Sequence, residues 1–102
     1  MVANINVDVH CLTPTWVNFE NNRYRIYVND DLITERNWSW DLNTYIHEDI
    51  WVDVATQTAH IIRLEPVLQE QSSAQFALRN LKVNNRELSD VDGYRIQLSF
   101  TL

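Results

Sequence analysis

Nucleophilic catalysis needs a Ser or Cys within reach of a His that a third group holds in place. The chain offers one cysteine, Cys11, and three histidines, His10, His47 and His60. Cys11 shares its parity with Ile5, Val7 and Val9, which marks a buried core thiol rather than a nucleophile. The histidines are scattered, and no two stand at a metal-ligand spacing. A single glycine, Gly93, leaves no phosphate-cradling loop and no nucleophile elbow. The carboxylates Asp30 and Asp31, Glu48 and Asp49, and Asp90 and Asp92 gather where turns are expected, and read as solvated turn residues. No catalytic residue, metal or cofactor is expected, and the chain does not read as an enzyme.

The aromatic residues carry more information. Trp38 and Trp40 share one parity of a strand, while Trp51 lies on the parity opposite Ile50 and Val52. If Ile50 and Val52 face a core, Trp51 faces solvent, and with Tyr27 it forms a surface suited to a protein partner or a sugar ring. Arg supplies seven of the eight basic residues and suits interfaces better than Lys. The candidate binding residues are therefore Trp51, Tyr27, Trp38, Trp40, Tyr45 and Arg25, with a core role weighed against binding for Trp38 and Trp40.

The elements that position these side chains are strands. Residues 4 to 12 alternate Ile5, Val7, Val9 and Cys11 against Asn4, Asn6, Asp8 and His10, the period of a half-buried strand. The same period places Tyr94, Ile96, Leu98, Phe100 and Leu102 on one face of a last strand. Between them, 23 to 28 forms a strand that turns at Asn29-Asp30-Asp31 and returns over 32 to 40. In the run that follows, Ile46, Ile50, Val52 and Val54 share a face on which Glu48 is the exception. A strand from Ala59 is expected to stop at Pro66, and Pro66, Arg23, Arg25 and Arg95 are expected to blunt edges. Residues 69 to 75 read as a loop, Asn84-Asn85 as a two-residue hairpin turn and 90 to 93 as a final turn. The count is about seven or eight short strands, the pattern of a single-domain antiparallel β-sandwich of jelly-roll type spanning 1–102. Asparagine, present eleven times, is expected to carry the positive-φ positions that glycine usually fills.

Composition narrows the partners. The chain has 102 residues, 45% hydrophobic and 22% charged, enough for one modest core. A net charge of −6 with no basic cluster disfavours nucleic acid. No apolar run approaches the roughly 20 residues of a membrane span, and the opening M-V-A-N-I-N-V-D-V-H-C lacks the pattern of a secretion leader.

The segments R-Y-R-I-Y-V-N-D-D-L-I (23 to 33), H-I-I-R-L-E-P-V (60 to 67) and L-R-N-L-K-V-N-N-R-E-L (78 to 88) resemble the strand pattern of small calcium-dependent carbohydrate-binding modules. Leu78 stands where that family carries an Asp ligand, so the likeness implies the fold without the metal site. Over most of its length, through W-V (16 to 17), Y-R-I-Y-V-N-D-D-L-I-T-E-R (24 to 36) and I-Q-L-S-F-T-L (96 to 102), the chain also resembles short β-sandwich structural proteins of tailed phages, cyanophages in particular. That resemblance implies a virion protein assembled in the host cytoplasm, a capsid decoration or cement subunit or a tail or fibre module. Its partners would be other virion proteins in an oligomer or lattice. The first resemblance implies instead a module that contacts a cell-surface glycan.

Overall fold

The computed structural model describes residues 1–13, 23–38, 45–67, 75–87 and 95–101. The expected loop at 69 to 75 lies outside them except for its last residue. The expected turn at 90 to 93, Tyr94 and Trp40 lie wholly outside.

Eight strands are described: β1 (Val2–Thr13), β2 (Arg23–Val28), β3 (Asp31–Asn37), β4 (Tyr45–Asp53), β5 (Ala59–Val67), β6 (Gln75–Val83), β7 (Arg86–Glu87) and β8 (Gln97–Thr101). They form two four-stranded antiparallel sheets, ordered β4-β1-β6-β7 and β3-β2-β5-β8. The sheets pack together as a single β-sandwich. Apart from the hairpins β2–β3 and β6–β7, each consecutive pair of strands lies in different sheets. Residues distant in sequence therefore share each face.

The core is built from the inward parity of β1, β2, β4, β5 and β8, and in β6 from Phe76 and Leu78 before Asn80 and Leu81 and Val83 after it. Ile5, Val7, Val9 and Cys11 of β1 meet Tyr24, Ile26 and Val28 of β2, with Ile50, Ile62, Leu64, Leu78, Leu81, Leu98 and Phe100 around them. Burying each large apolar side chain stabilises the fold by about 1.5–3 kcal/mol. The sandwich depends on these contacts because period-2 strands have no local hydrogen bonding of their own.

Turns and bulges rest on asparagine. Asn29, Asn80, Asn84 and Asn85 all have positive φ, between 51° and 65°, as does Gln57 at 62°. Asn84 and Asn85 form the two-residue connection between Val83 and Arg86, and positive φ at both positions matches the right-handed twist of a hairpin. Asn29 acts as a surrogate strand residue. Its backbone N–H donates to Ile61 O (2.7 Å), its Oδ1 accepts from Ile61 N–H (3.2 Å), and its Nδ2 lies 3.1 Å from His60 Nδ1. The other ring nitrogen of the buried His60 donates to Ala55 O at 2.7 Å, so this histidine pins two loops.

Three sequence expectations are corrected. Ile96 is 62% exposed although it shares the parity of Leu98 and Phe100. At this point the chain passes between sheets: Arg95 bridges Leu78 of β6, while Ile96 O accepts from Leu64 N–H of β5, and the bend breaks the alternation. The strand expected to stop at Pro66 runs through it to Val67. Leu64 N–H donates towards β8, so alternation aims the Pro66 nitrogen to the same side, past the end of the β8 pairing. No donor is required there. Finally, Arg23 and Arg25 blunt no edge, because β2 lies between β3 and β5.

Candidate functional site

The outward parity of β1 lies between β4 and β6 and carries a continuous polar network. Asn4 pairs across to Trp51, Asn6 to Asp49, Asp8 to His47 and His10 to Tyr45. His47 Nδ1–H donates to Asp8 Oδ1 at 2.8 Å, and its Nε2 lies 2.9 Å from Asn6 Oδ1. Asn6 Nδ2 donates to Asn4 Oδ1 at 2.6 Å, and Asn4 Nδ2 donates to Asp49. A bulge completes the network from the other side. Between the pairs Asn6–Lys82 and Asp8–Arg79, two residues of β6 oppose one of β1. Asn80, at φ 57°, absorbs the extra residue and turns its amide outward, where Nδ2 donates to Asp8 Oδ2 at 2.9 Å. Bulges commonly re-aim a side chain in this way.

Aromatic rings stand at both ends of the network. Trp51 is 68% exposed and Tyr45 57% exposed, and the Tyr45 ring lies 5.4 Å from that of His10. Both are on the outward parity of β4, six residues apart, or about 20 Å at the rise of a strand. The His10 imidazole is held below its ordinary value by desolvation, an effect that Asp8 opposes and Arg79 reinforces.

The other sequence candidates lie elsewhere. Tyr27 and Arg25 are half-buried on the outward face of the opposite sheet. There the Arg63 guanidinium lies 4.6 Å from the Tyr27 ring centre, Arg63 pairs with Glu65 (3.2 Å) and Arg25 with Glu35 (3.4 Å). Exposed pairs of this kind contribute about 0–1 kcal/mol each. Trp38 is corrected as a binding candidate. It is fully buried just beyond β3, against Phe76 at a ring separation of 6.1 Å, and presents no surface to a partner. Trp51 and Tyr45 thus share one face, Tyr27 and Arg25 the other, and Trp38 belongs to the core.

Glu48, the parity exception on β4, faces inward at 2% exposure. Its Oε1 accepts from the buried Tyr24 hydroxyl at 2.8 Å, and the Arg36 guanidinium bonds both carboxylate oxygens, Nη2 to Oε2 at 3.1 Å. Tyr24 and Arg36 belong to the sheet opposite β4, so this group ties the two layers together. Burial, reinforced by the neighbouring carboxylate, pushes the Tyr24 phenol well above its ordinary value. The inner end of the group is closed to solvent and offers no reacting position.

Among the described residues, no group of three or more His, Cys, Asp and Glu side chains is placed to hold a metal ion. Cys11 is buried in the core, as its parity predicts. The polar network is the feature that sequence reading missed. Its β1 members were visible as one parity, but their partners on β4 and the Asn80 bulge carry no local signal.

The fold and this face define an antiparallel β-sandwich with an aromatic-flanked polar surface on one sheet. Comparison with protein-family models, curated proteins and solved structures gave no match to the chain.

Proposed function

We propose that the chain is a non-enzymatic adhesion subunit that docks through the outer face of the β4-β1-β6-β7 sheet, and that it serves as a structural protein of a phage virion. The observation that carries the docking face is Trp51: a tryptophan 68% exposed in a domain whose other described tryptophan is fully buried. A large ring left in water finds its compensation in a partner, and aromatic residues dominate the centres of protein interfaces. The fixed network beside it supports the same reading, since amide, imidazole and carboxylate groups already held in place lose little freedom when a partner binds. Placement in a virion, as a capsid decoration or cement subunit or a tail or fibre module, rests on the sequence pattern alone.

A second reading has its own observation. Two exposed rings about 20 Å apart along one strand, with amides and carboxylates between them, also suit an extended glycan whose sugar faces stack on Trp51 and Tyr45 while its hydroxyls meet Asn4, Asn6 and Asp49.

Co-sedimentation with virions stripped of the subunit tests the first reading. Saturable binding that Trp51→Ala weakens at least tenfold, equivalent to about 1.4 kcal/mol, supports it. No binding to particles, together with quenching of tryptophan fluorescence by a member of a glycan panel, replaces it with the second.

A further inference from the structure

The described strands leave four sheet edges, and three carry groups that discourage pairing. β3 contains Asp31, Glu35 and Arg36 and an irregular register between Ile26 and Tyr27 of its partner. β4 presents His47, Asp49 and Asp53, and the described residues of β7, Arg86 and Glu87, are both charged. Charge, bulges and brevity are the usual protections of an edge. β8, Gln97–Thr101, has none of them: it contains no charged residue, no proline and no register shift. Among the described residues no strand pairs with its outer edge.

The direction of its hydrogen bonding follows from one contact. Leu64 N–H donates to Ile96 O at 2.8 Å, so the backbone groups of Ile96, Leu98 and Phe100 point to β5. Those of Gln97, Ser99 and Thr101 then point away from the sheet. The side chains alternate in the same register, with Leu98 and Phe100 in the core and Gln97, Ser99 and Thr101 exposed.

We infer that β8 is the interface for a second copy of this chain, joined antiparallel about a two-fold axis through Ser99. The strand is its own complement in that register. Ser99 faces Ser99 of the second copy, and Gln97 faces Thr101, so three hydrogen-bonded pairs exchange about six backbone bonds. On the inner side Leu98 meets Phe100 of the second copy, which extends the apolar layer across the axis, and on the outer side only neutral polar groups meet. Each chain carries −6, so an uncharged strand is where two copies approach with least local repulsion. The symmetric, isologous arrangement closes after two chains.

Sedimentation equilibrium of the full chain over a concentration series tests this. The wild type is expected at twice the 12.1 kDa chain mass at the upper end of the series. Ser99→Lys, which sets two like charges face to face, raises the dimer dissociation constant by about tenfold or more with an unchanged far-UV circular dichroism spectrum. Ser99→Pro has the same effect, because the amide it removes faces away from β5, and Ser99→Thr leaves the dimer intact. If Ser99→Lys does not fold, Thr101→Lys at the strand end takes its place. A wild type that stays monomeric throughout the series, or a dimer that persists in the folded lysine variant, overturns the inference.

Discussion

Glu48 and Trp51 stand three residues apart on β4 and reverse the usual arrangement of polar and apolar groups. The carboxylate points into the sandwich and the indole points into water. Their surroundings separate their roles. Glu48 is met by a hydroxyl and a guanidinium from the opposite sheet, so its desolvation is compensated within the chain. Trp51 keeps 68% of its surface in solvent. One strand thus carries both a tie that holds the layers together and an exposed aromatic surface. A residue on the unexpected parity is structural when its needs are met inside, and a functional candidate when they are not.

The comparison is most easily broken at Glu48. Glu48→Ala removes the shared acceptor and leaves the Tyr24 hydroxyl buried without it. A loss of about 3 kcal/mol is expected, at the lower end for breaking a buried pair because the Arg36 side chain is half exposed. Urea unfolding measures it, and a loss below about 1 kcal/mol would make the tie no stronger than a surface pair.

A smaller effect is expected at the turns. Asn85→Val places a β-branched residue at φ 65° and costs about 1–2 kcal/mol, whereas Asn85→Gly is neutral or stabilising. Equal midpoints for the two variants would show that this turn is not held in the left-handed region.

The pH dependence probes the polar face itself. His10 is held below its ordinary value of 6.5, so the unfolded chain binds its proton more readily than the folded one. Stability is then retained above pH 6.5 and declines as pH falls through the depressed value. The slope should shrink in His10→Gln, and an identical pH profile of the thermal midpoint in both proteins would remove His10 from that account.

The smallest change in stability is expected at Trp51. Trp51→Ala should alter unfolding free energy by no more than about 0.5 kcal/mol, as at other exposed positions, while weakening partner binding. A loss comparable to that at Glu48 would collapse the distinction between the two residues and make Trp51 part of the scaffold.

Much of this was legible in advance. The alternations in β1 and β4, the Asn84-Asn85 turn and the inward Cys11 all follow from patterns spanning a few residues, and the structure places them as that reading predicts. Glu48 and Trp51 could both be singled out as departures from their strand's pattern. Legibility failed where an effect depended on pairing. Ile96 keeps its parity in sequence but loses it where the chain changes sheets, and for Trp38, where the sequence leaves core and binding roles open, only the packing against Phe76 selects the core. The partnership of His47 with Asp8 and Asn6 joins strands some forty residues apart, with no motif to announce it.

From the sequence alone came the strand periods, the turn positions served by asparagine and the parity of each side chain, because these are set by the local stereochemistry of a few consecutive residues. Tertiary structure alone decided which strands are neighbours, and with that which polar side chains meet, which charge is compensated and which edge is left without protection. Antiparallel strands bond to partners that the chain brings from far away, so the groups that share a face are chosen by topology rather than by proximity in sequence.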